Sequence, residues 1–256
     1  MRSKDVKIGS FTVSNARPIF YFAGTCSFES EALLERVGKT LKALFKKTGT
    51  NWALKCSFDK ANRSSVKSYR GQGMSKTLEA FARVKKDLGV PMLTDVHEAS
   101  QVDQVAKVCD VLQIPAFLSR QTDLLVAAGK TGRVINIKKG QFMAPSDIVN
   151  AVTKVESTGN RKILLTDRGT SFGYGNLVVD MRSFPIMART GYPVLIDATH
   201  ACQLPGAKGD STDGEGRFRI SGLTPGMYRL EVRDEAVRAG RVSFALRTGE
   251  RDLGEL

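Results

Sequence analysis

The sequence predicts an α/β protein built as a (β/α)₈ barrel, with an N-terminal β-hairpin and a short antiparallel β tail. Three observations carry this reading. Short apolar runs recur between Ile19 and Ile196, separated by segments of helical period. Nearly every run ends in a polar or charged residue. From Lys208 onward the rhythm is replaced by period-two alternation between glycine-rich turns.

Val6–Ile8 and Phe11–Val13 alternate around Gly9-Ser10 and predict the hairpin. Seven buried strands follow, at Ile19–Ala23, Trp52–Cys56, Pro91–Thr94, Val111–Ile114, Val134–Ile137, Ile163–Thr166 and Val194–Ile196. Each is mostly apolar, as a parallel strand covered on both faces is expected to be. Helices are expected over Glu31–Thr48, Ser75–Leu88, Ser100–Val108, Leu124–Lys130, Pro145–Ser157 and Leu177–Thr190. A doubly wound sheet is the alternative topology. The polar strand ends favour the barrel: Cys26, Lys55 with Ser57, Asp95 with His97, Gln113, Lys138 with Lys139, Asp167 with Arg168, and Asp197 with His200. A barrel gathers all of these at one mouth, whereas an open sheet spreads them along an edge.

After residue 207 the pattern changes. Arg217–Ile220, Met227–Arg233 and Arg241–Leu246 alternate with period two, separated by Asp213–Gly216 and Ser221–Gly226 turns. An eighth helix and buried strand are missing from that pattern, so the barrel is expected to be incomplete, with seven strands. Two domains are expected: a barrel over 1–207 and a β-rich tail over 208–256.

Of the 256 residues 41% are hydrophobic, which supports a core and excludes global disorder. The formal charge is +13. Residues 1–207 hold 18 Lys and 12 Arg against 17 acidic residues, a net +13. Residues 208–256 hold 1 Lys and 8 Arg against 9 acidic residues, a net zero. The excess belongs to the barrel portion alone. Aromatics are only 7%, and no recognition helix or zinc-finger spacing is present, so no nucleic-acid partner is expected. No window approaches 18 apolar residues and Met1–Ser10 has no apolar leader, so neither a membrane span nor a signal peptide is expected. Cys26, Cys56, Cys109 and Cys202 form no C-x-x-C pair, which fits reduced thiols and a cytoplasmic location.

The run Lys55–Ser65 places three cations, Lys55, Lys60 and Arg63, among hydroxyl and amide donors behind one strand. Lys138 and Arg168 end two others. Converging ammonium and guanidinium groups make a pocket for phosphate and carboxylate. A solvated charged loop is the blander reading of Lys55–Arg63 taken alone. Cys26 and His200 would sit side by side in a closed barrel, as borderline-soft donors suited to Zn²⁺ or Fe²⁺. The blander alternative makes Cys26 a buried small residue and His200 a hydrogen-bonded core histidine.

The runs FAGTCSFES, KCSFDKANRSSVKSYRGQG, TDVHE, LQIPAFLSRQTDLL, INIKKGQF, DRGTSFGYGNLVVDM and DATHACQLPG resemble the 3-deoxy-D-manno-octulosonate 8-phosphate synthase family, also called 2-dehydro-3-deoxyphosphooctonate aldolases, over residues 5–207. The resemblance implies a cytoplasmic (β/α)₈ barrel, usually a homotetramer. It implies condensation of phosphoenolpyruvate with arabinose 5-phosphate, release of phosphate, and a product used for lipopolysaccharide. By motif, Lys55, Ser57, Lys60, Gln113, Lys138 and Arg168 correspond to the phosphoenolpyruvate pocket, with Ala116 among the substrate-binding residues and Asp95 among the catalytic groups. Asn62, Arg63 and Ser64 correspond to the sugar-phosphate site, with Arg63 on the phosphate. Cys26 is the mark of the metal-dependent class and His200 matches its metal histidine, so a divalent Zn, Fe or Mn ion is implied.

The resemblance stops after Gly206-Ala207. The family's eighth strand with a glutamate ligand, and its later Ser-Asp-Gly aspartate, do not follow in order. Glu231, on the run Met227–Val232, is the candidate to stand in for the glutamate. TDGEGRFRISGLTPGMYRLEV instead resembles a fragment of a carboxypeptidase-regulatory-like β-sandwich repeat. An incomplete barrel implies half a metal site, Cys26 and His200, and impaired activity. The alternative function is a catalytically inactive composite chain with a β-type binding or interaction tail.

Overall fold

The computed structural model describes residues 3–203 and the strands 226–231 and 241–246. Strands β1 (Val6–Ile8) and β2 (Phe11–Val13) form the expected antiparallel hairpin, with Gly9 at φ 57° in its turn. Then strands and helices alternate: β3 (Tyr21–Ala23), α1 (Glu31–Thr48), β4 (Trp52–Lys55), α2 (Met74–Leu88), β5 (Met92–Asp95), α3 (Ala99–Val108) and β6 (Val111–Ile114). The series continues with a 3₁₀ turn at Ala116–Leu118, α4 (Thr122–Lys130), β7 (Val134–Lys138), α5 (Ile148–Glu156) and β8 (Ile163–Asp167). It ends with the hairpin β9 (Thr170–Phe172) and β10 (Asn176–Val178), α6 (Ser183–Ala188), β11 (Val194–Ile196) and α7 (Ala198–Ala201).

Seven strands form one parallel, curled sheet in the order β11-β8-β7-β6-β5-β4-β3, a partial barrel. Its middle strands β5, β6, β7 and β8 are buried at every position. Its edges β3 and β11 are only half-buried, and Ile196 is exposed. Among the described residues nothing pairs with the outer side of either edge. Strands β12 (Gly226–Glu231) and β13 (Arg241–Leu246) pair antiparallel with each other. The run carrying Glu231 is therefore an antiparallel partner of β13 rather than an eighth parallel strand. The Arg217–Ile220 run and the turns on either side of it lie outside the described residues.

Helix α1 starts at Ser30, whose side chain accepts from the Leu33 amide, and ends at Gly49 with φ 63°. Its buried Leu34, Leu41 and Phe45 face the sheet, with Phe45 stacked on Trp52 of β4. The helix expected over 177–190 is corrected. Residues 176–178 form β10 of a hairpin turned by Gly173 at φ 66°, and only Ser183–Ala188 are helical. Glycines 173 and 175 favour the turn, and Pro185 tolerates only the first turn of a helix.

The excess cations also find places. Lysines stand in the last turn of α1, α2, α3, α4 and α5, opposite the negative end of each helix dipole. Several cap carbonyls of a helix or its C-terminal turn: Lys85 Nζ donates to Val108 O (2.9 Å), Arg133 Nε to Ala106 O (2.7 Å) and Lys162 Nζ to Gly132 O (3.0 Å). The N-terminal hairpin segment is tied to the last strand. Asn15 Nδ2 donates to Tyr192 O and the Val194 amide donates to Asn15 Oδ1, both at 2.8 Å.

Gly24 shows how closely β3 and β4 approach at the mouth. A Cβ there would lie 2.0 Å from the Lys55 carbonyl oxygen. Gly24→Ala should therefore destabilise the protein by about 3 kcal/mol, measured by urea unfolding, because backbone rather than a flexible side chain must move.

Candidate active site at the mouth of the parallel sheet

The polar residues of the strands meet inside the curl. Successive side chains on a strand face opposite sides, so Asn136 and Lys138 of β7 share one face. In register, Asp95 lies opposite Gln113, Gln113 opposite Asn136, and Lys138 opposite Thr166. A continuous hydrogen-bonded chain results. Thr166 Oγ1 donates to Asn136 Oδ1 (2.7 Å), and Asn136 Nδ2 donates to Gln113 Oε1 (2.9 Å). The Gln113 amide nitrogen donates to Asp95 Oδ1, and Ser57 Oγ donates to Asp95 Oδ2 at 2.5 Å. Lys60 Nζ donates to Ser57 Oγ at 2.9 Å.

Asp95 is buried among cations. Burial alone would raise its pKa, but Lys55, Lys60, Lys138 and the Ser57 hydroxyl outweigh it and hold the carboxyl well below the usual range. Burial works against the charge on Lys55 too. Asp95, Cys26 and Asp197 more than compensate, so its pKa is raised. Lys138 is less well matched. Burial, with Lys55 beside it, brings its pKa down despite its ion pair with Asp197. Burial likewise lowers Arg168, partly offset by Asp197. The Arg168 guanidinium donates to His200 O and Gln203 Oε1, both at 3.2 Å, while its buried Nε finds no partner among the described residues. Such a set can bind an anion of several charges, because cations already desolvated and oriented need little reorganisation.

Cys26 follows β3 and His200 lies in α7, beyond the two edges of the sheet, and His200 is near enough to act on the Cys26 thiol. Desolvation would raise the Cys26 thiol, but His200, Lys60 and Lys55 bring it down to about 5. His200 Nδ1 is taken by Asp197 at 2.8 and 2.9 Å, which leaves Nε2 as its outward nitrogen. A carboxylate behind an imidazole is the usual arrangement behind a metal-ligating histidine. The donor chemistry of Cys26 and His200 therefore fits a borderline-soft divalent ion. Among the described residues no group of three or more His, Cys, Asp or Glu is placed to hold one, so these two alone would supply half of a tetrahedral set.

Not every expected site residue joins the cluster. Ala116 is buried in the 3₁₀ turn after β6. Asn62, Arg63 and Ser64 lie on an exposed loop, where Arg63 Nε donates to Tyr69 O at 3.1 Å. The Lys60 amide closes that loop on Arg70 O, and Arg70 forks onto Asp59. No hydrogen bond or ion pair among the described residues joins Asn62, Arg63 or Ser64 to Asp95 and its lysines. His97 packs edge-on against Phe58, with burial lowering its pKa. Asn136, Thr166 and Asp197 belong to the site although the sequence did not single out the first two. Their signal was a lone polar residue inside an apolar strand.

The thiols separate sharply. Burial raises Cys56 to about 12 and Cys202 to about 11, and raises Cys109 further. In protein stripped of metal with a chelator, iodoacetamide at pH 7 should label Cys26 alone, read by peptide mass spectrometry. His200→Ala should move the midpoint of that labelling from near pH 5 towards the ordinary thiol value of 9.0.

Comparison with known proteins matches this architecture. Residues 5–215 match the family model described as the DAHP synthetase I family. A 2-dehydro-3-deoxyphosphooctonate aldolase of Geobacter sp. (strain M21) is 52% identical over 244 residues, covering 93% of this chain and 89% of that protein. The protein of the same name from Citrifermentans bemidjiense is also 52% identical over 244 residues, with the same coverage. The one from Trichlorobacter lovleyi is 51% identical over 216 residues, covering 84% of this chain and 79% of its own length. The family match thus runs past residue 207, to residue 215. With this length of match and this identity, the chain belongs to the DAHP synthetase I family, among its 2-dehydro-3-deoxyphosphooctonate aldolases.

Proposed function

We propose that the chain condenses phosphoenolpyruvate with arabinose 5-phosphate to 3-deoxy-D-manno-octulosonate 8-phosphate and releases phosphate. One observation carries this reading: Lys55, Lys60 and Lys138 converge on Asp95 at the strand ends, with Arg168 near enough to Asp197 to feel its charge. The convergence occurs in a chain 52% identical to proteins named for this product's synthesis. Phosphoenolpyruvate carries a phosphate and a carboxylate next to the reacting double bond. Lys138 and Arg168 bind the phosphate, and Lys55 and Lys60 take the carboxylate, with Ser57, Gln113 and Ala116 completing the pocket. The enol carbon attacks the sugar aldehyde, water adds to the neighbouring carbon, and the C–O bond to phosphate breaks. Fixed cations are suited to this, because the negative charge stays within one small volume throughout. Asp95 keeps that cluster charged and aligned.

Asn62, Arg63 and Ser64 hold the phosphate of arabinose 5-phosphate, an end of the substrate far from the reacting carbon, which suits their separate loop. Cys26 and His200 would hold a divalent Zn, Fe or Mn ion, which when bound would supply Lewis-acid polarisation of the aldehyde or activation of water. Exposed Phe117, Phe142, Phe172 and Tyr174 support self-association, for which we propose a homotetramer. No described helix is long and apolar enough to cross a membrane, which is compatible with a cytoplasmic reaction. The charge shift at residue 207 supports a barrel over 1–207 followed by a separate β-rich tail over 208–256.

A second reading, an inactive composite, is favoured by one observation: β12 pairs with β13, and among the described residues β3 and β11 remain edges. Phosphate release decides between the two. The folded chain with Mn²⁺ and both substrates should release phosphate, treatment with a chelator should abolish this, and added Mn²⁺ should restore it. A folded sample that releases none, with any of the three metals, leaves the second reading standing. Arg63→Ala should raise KM for arabinose 5-phosphate by about 10- to 100-fold, the worth of one charge-assisted contact, and leave KM for phosphoenolpyruvate within about twofold.

A further inference from the structure

Two charged residues behind the anion pocket are not used by the reaction proposed above. Lys139 is 0% exposed, and its Nζ donates to Gly140 O (3.2 Å), Met143 O (3.4 Å) and Thr170 Oγ1 (3.2 Å). It lies 3.9 Å from Asp167 Oδ1. Asp167 is 2% exposed and fully engaged: Oδ1 accepts from the Gly169 amide at 2.7 Å and Oδ2 from Ser183 Oγ at 2.5 Å. Stability alone does not explain such a pair. Taking two ions out of water costs several kcal/mol each, and apolar residues of similar size commonly serve as well.

Its position suggests another role. Lys139 follows Lys138 and Asp167 precedes Arg168, so each buried partner adjoins a pocket cation in the chain. Lys138 and Thr166 face the inside of the curl, and residues one step along face outward. The Lys139 amide also donates to Thr166 O at 2.8 Å, and the Ser171 amide to Gln141 O at 3.0 Å. Lys139 thereby ties the segment after β7 to the turn and hairpin after β8. The Asp197 amide donates to Asp167 O at 2.8 Å, which extends the tie to the residue holding Lys138.

We propose that Lys139 and Asp167 are a buried positioning pair that fixes Lys138 and Arg168 and so sets the affinity for the phosphate of phosphoenolpyruvate. The proposal rests on the reading of that pocket given above. It touches no part of the Asn62–Ser64 loop, so it predicts an effect on one substrate only. Lys139→Met keeps the length and apolar stem but removes the charge and its donors. Asp167→Asn keeps an acceptor for the Gly169 amide, removes the charge, and turns the group facing Ser183 Oγ from an acceptor into a donor.

The experiment compares wild type and both variants, each first confirmed to melt cooperatively. Phosphoenolpyruvate binding is read by calorimetry, and KM and kcat by phosphate release. Lys139→Met should raise Kd and KM for phosphoenolpyruvate about ten-fold, with KM for arabinose 5-phosphate and kcat within about twofold. Unchanged phosphoenolpyruvate affinity in a folded variant overturns the proposal. So does an equal rise for both substrates, which marks a general loss of structure. Should Lys139→Met fail to fold, Asp167→Asn is held to the same criteria. If the wild type binds no phosphoenolpyruvate, the reading of the pocket fails, and crystal structures of the variants decide the positioning claim. Lys138 still on Asp197 and Arg168 still on His200 O would overturn it, and displacement of either would support it.

Discussion

The hydrogen-bonded chain from Thr166 through Asn136, Gln113, Asp95 and Ser57 to Lys60 is the constraint on which the rest of the mouth depends. It links side chains from five successive strands or strand ends, β8, β7, β6, β5 and the end of β4. Each link needs its neighbour in the right register, because a slip of one residue would turn every member to the outer face. Asp95 is the member least able to tolerate a slip. It is buried and ionised, and only the surrounding lysines make that state favourable. The cations that bind an anion are thus also the cations that stabilise the sheet's central carboxylate. Binding chemistry and register specification draw on one set of residues.

The alternation of a strand divides labour further. On β7 and β8 the inward residues Asn136, Lys138 and Thr166 carry the site, while the outward Ile135, Ile137, Ile163 and Leu165 carry the core. Past the strand ends the same alternation puts Lys139 and Asp167 behind the site. Loops that must hold a charged group rigidly cannot rely on apolar packing alone, since their backbone amides and carbonyls need partners. Lys139, with three donors, supplies partners to two carbonyls and a hydroxyl at once.

Much of this was legible in the sequence. Helix α1 occupies the expected Glu31–Thr48 because its boundaries carry their own chemistry, a serine that caps and a glycine that ends it. The seven strands were legible because strands buried on both faces leave predominantly apolar runs, broken at most by single polar residues. Residues 177–190 misled because Leu177, Met181, Phe184 and Met187 keep helical spacing, while the decisive signals were the two turn glycines and Pro185. Within the site, charged residues at strand ends were readable and neutral ones inside strands were not. Asn136 in VINIK and Thr166 in ILLTD look like single interruptions, and their meaning lies in neighbours on other strands. The exposed setting of Asn62, Arg63 and Ser64 was also not readable, because a basic loop has the same composition whether it folds over a pocket or stands in water.

The edges of the sheet frame the last step. Strands β3 and β11 share no partner among the described residues, yet Cys26 beyond one edge lies near enough to His200 beyond the other for the imidazole to lower its thiol pKa. The curl therefore brings the two ends of the sheet within reach of each other at the mouth, while the strand backbones remain apart. The interactions that do this are polar and local. Asp197 holds His200 and Lys138 together, Arg168 reaches the His200 carbonyl, and Asn15 anchors the far end of β11. An edge strand held only by ladder bonds on one side would be free to fray. Here one end is fixed by the charged group around Asp197 and the other by the neutral Asn15 carboxamide. The half-buried edges are the weak part of the fold, and the most electrostatically coupled residues of the protein sit where they hold that part in place.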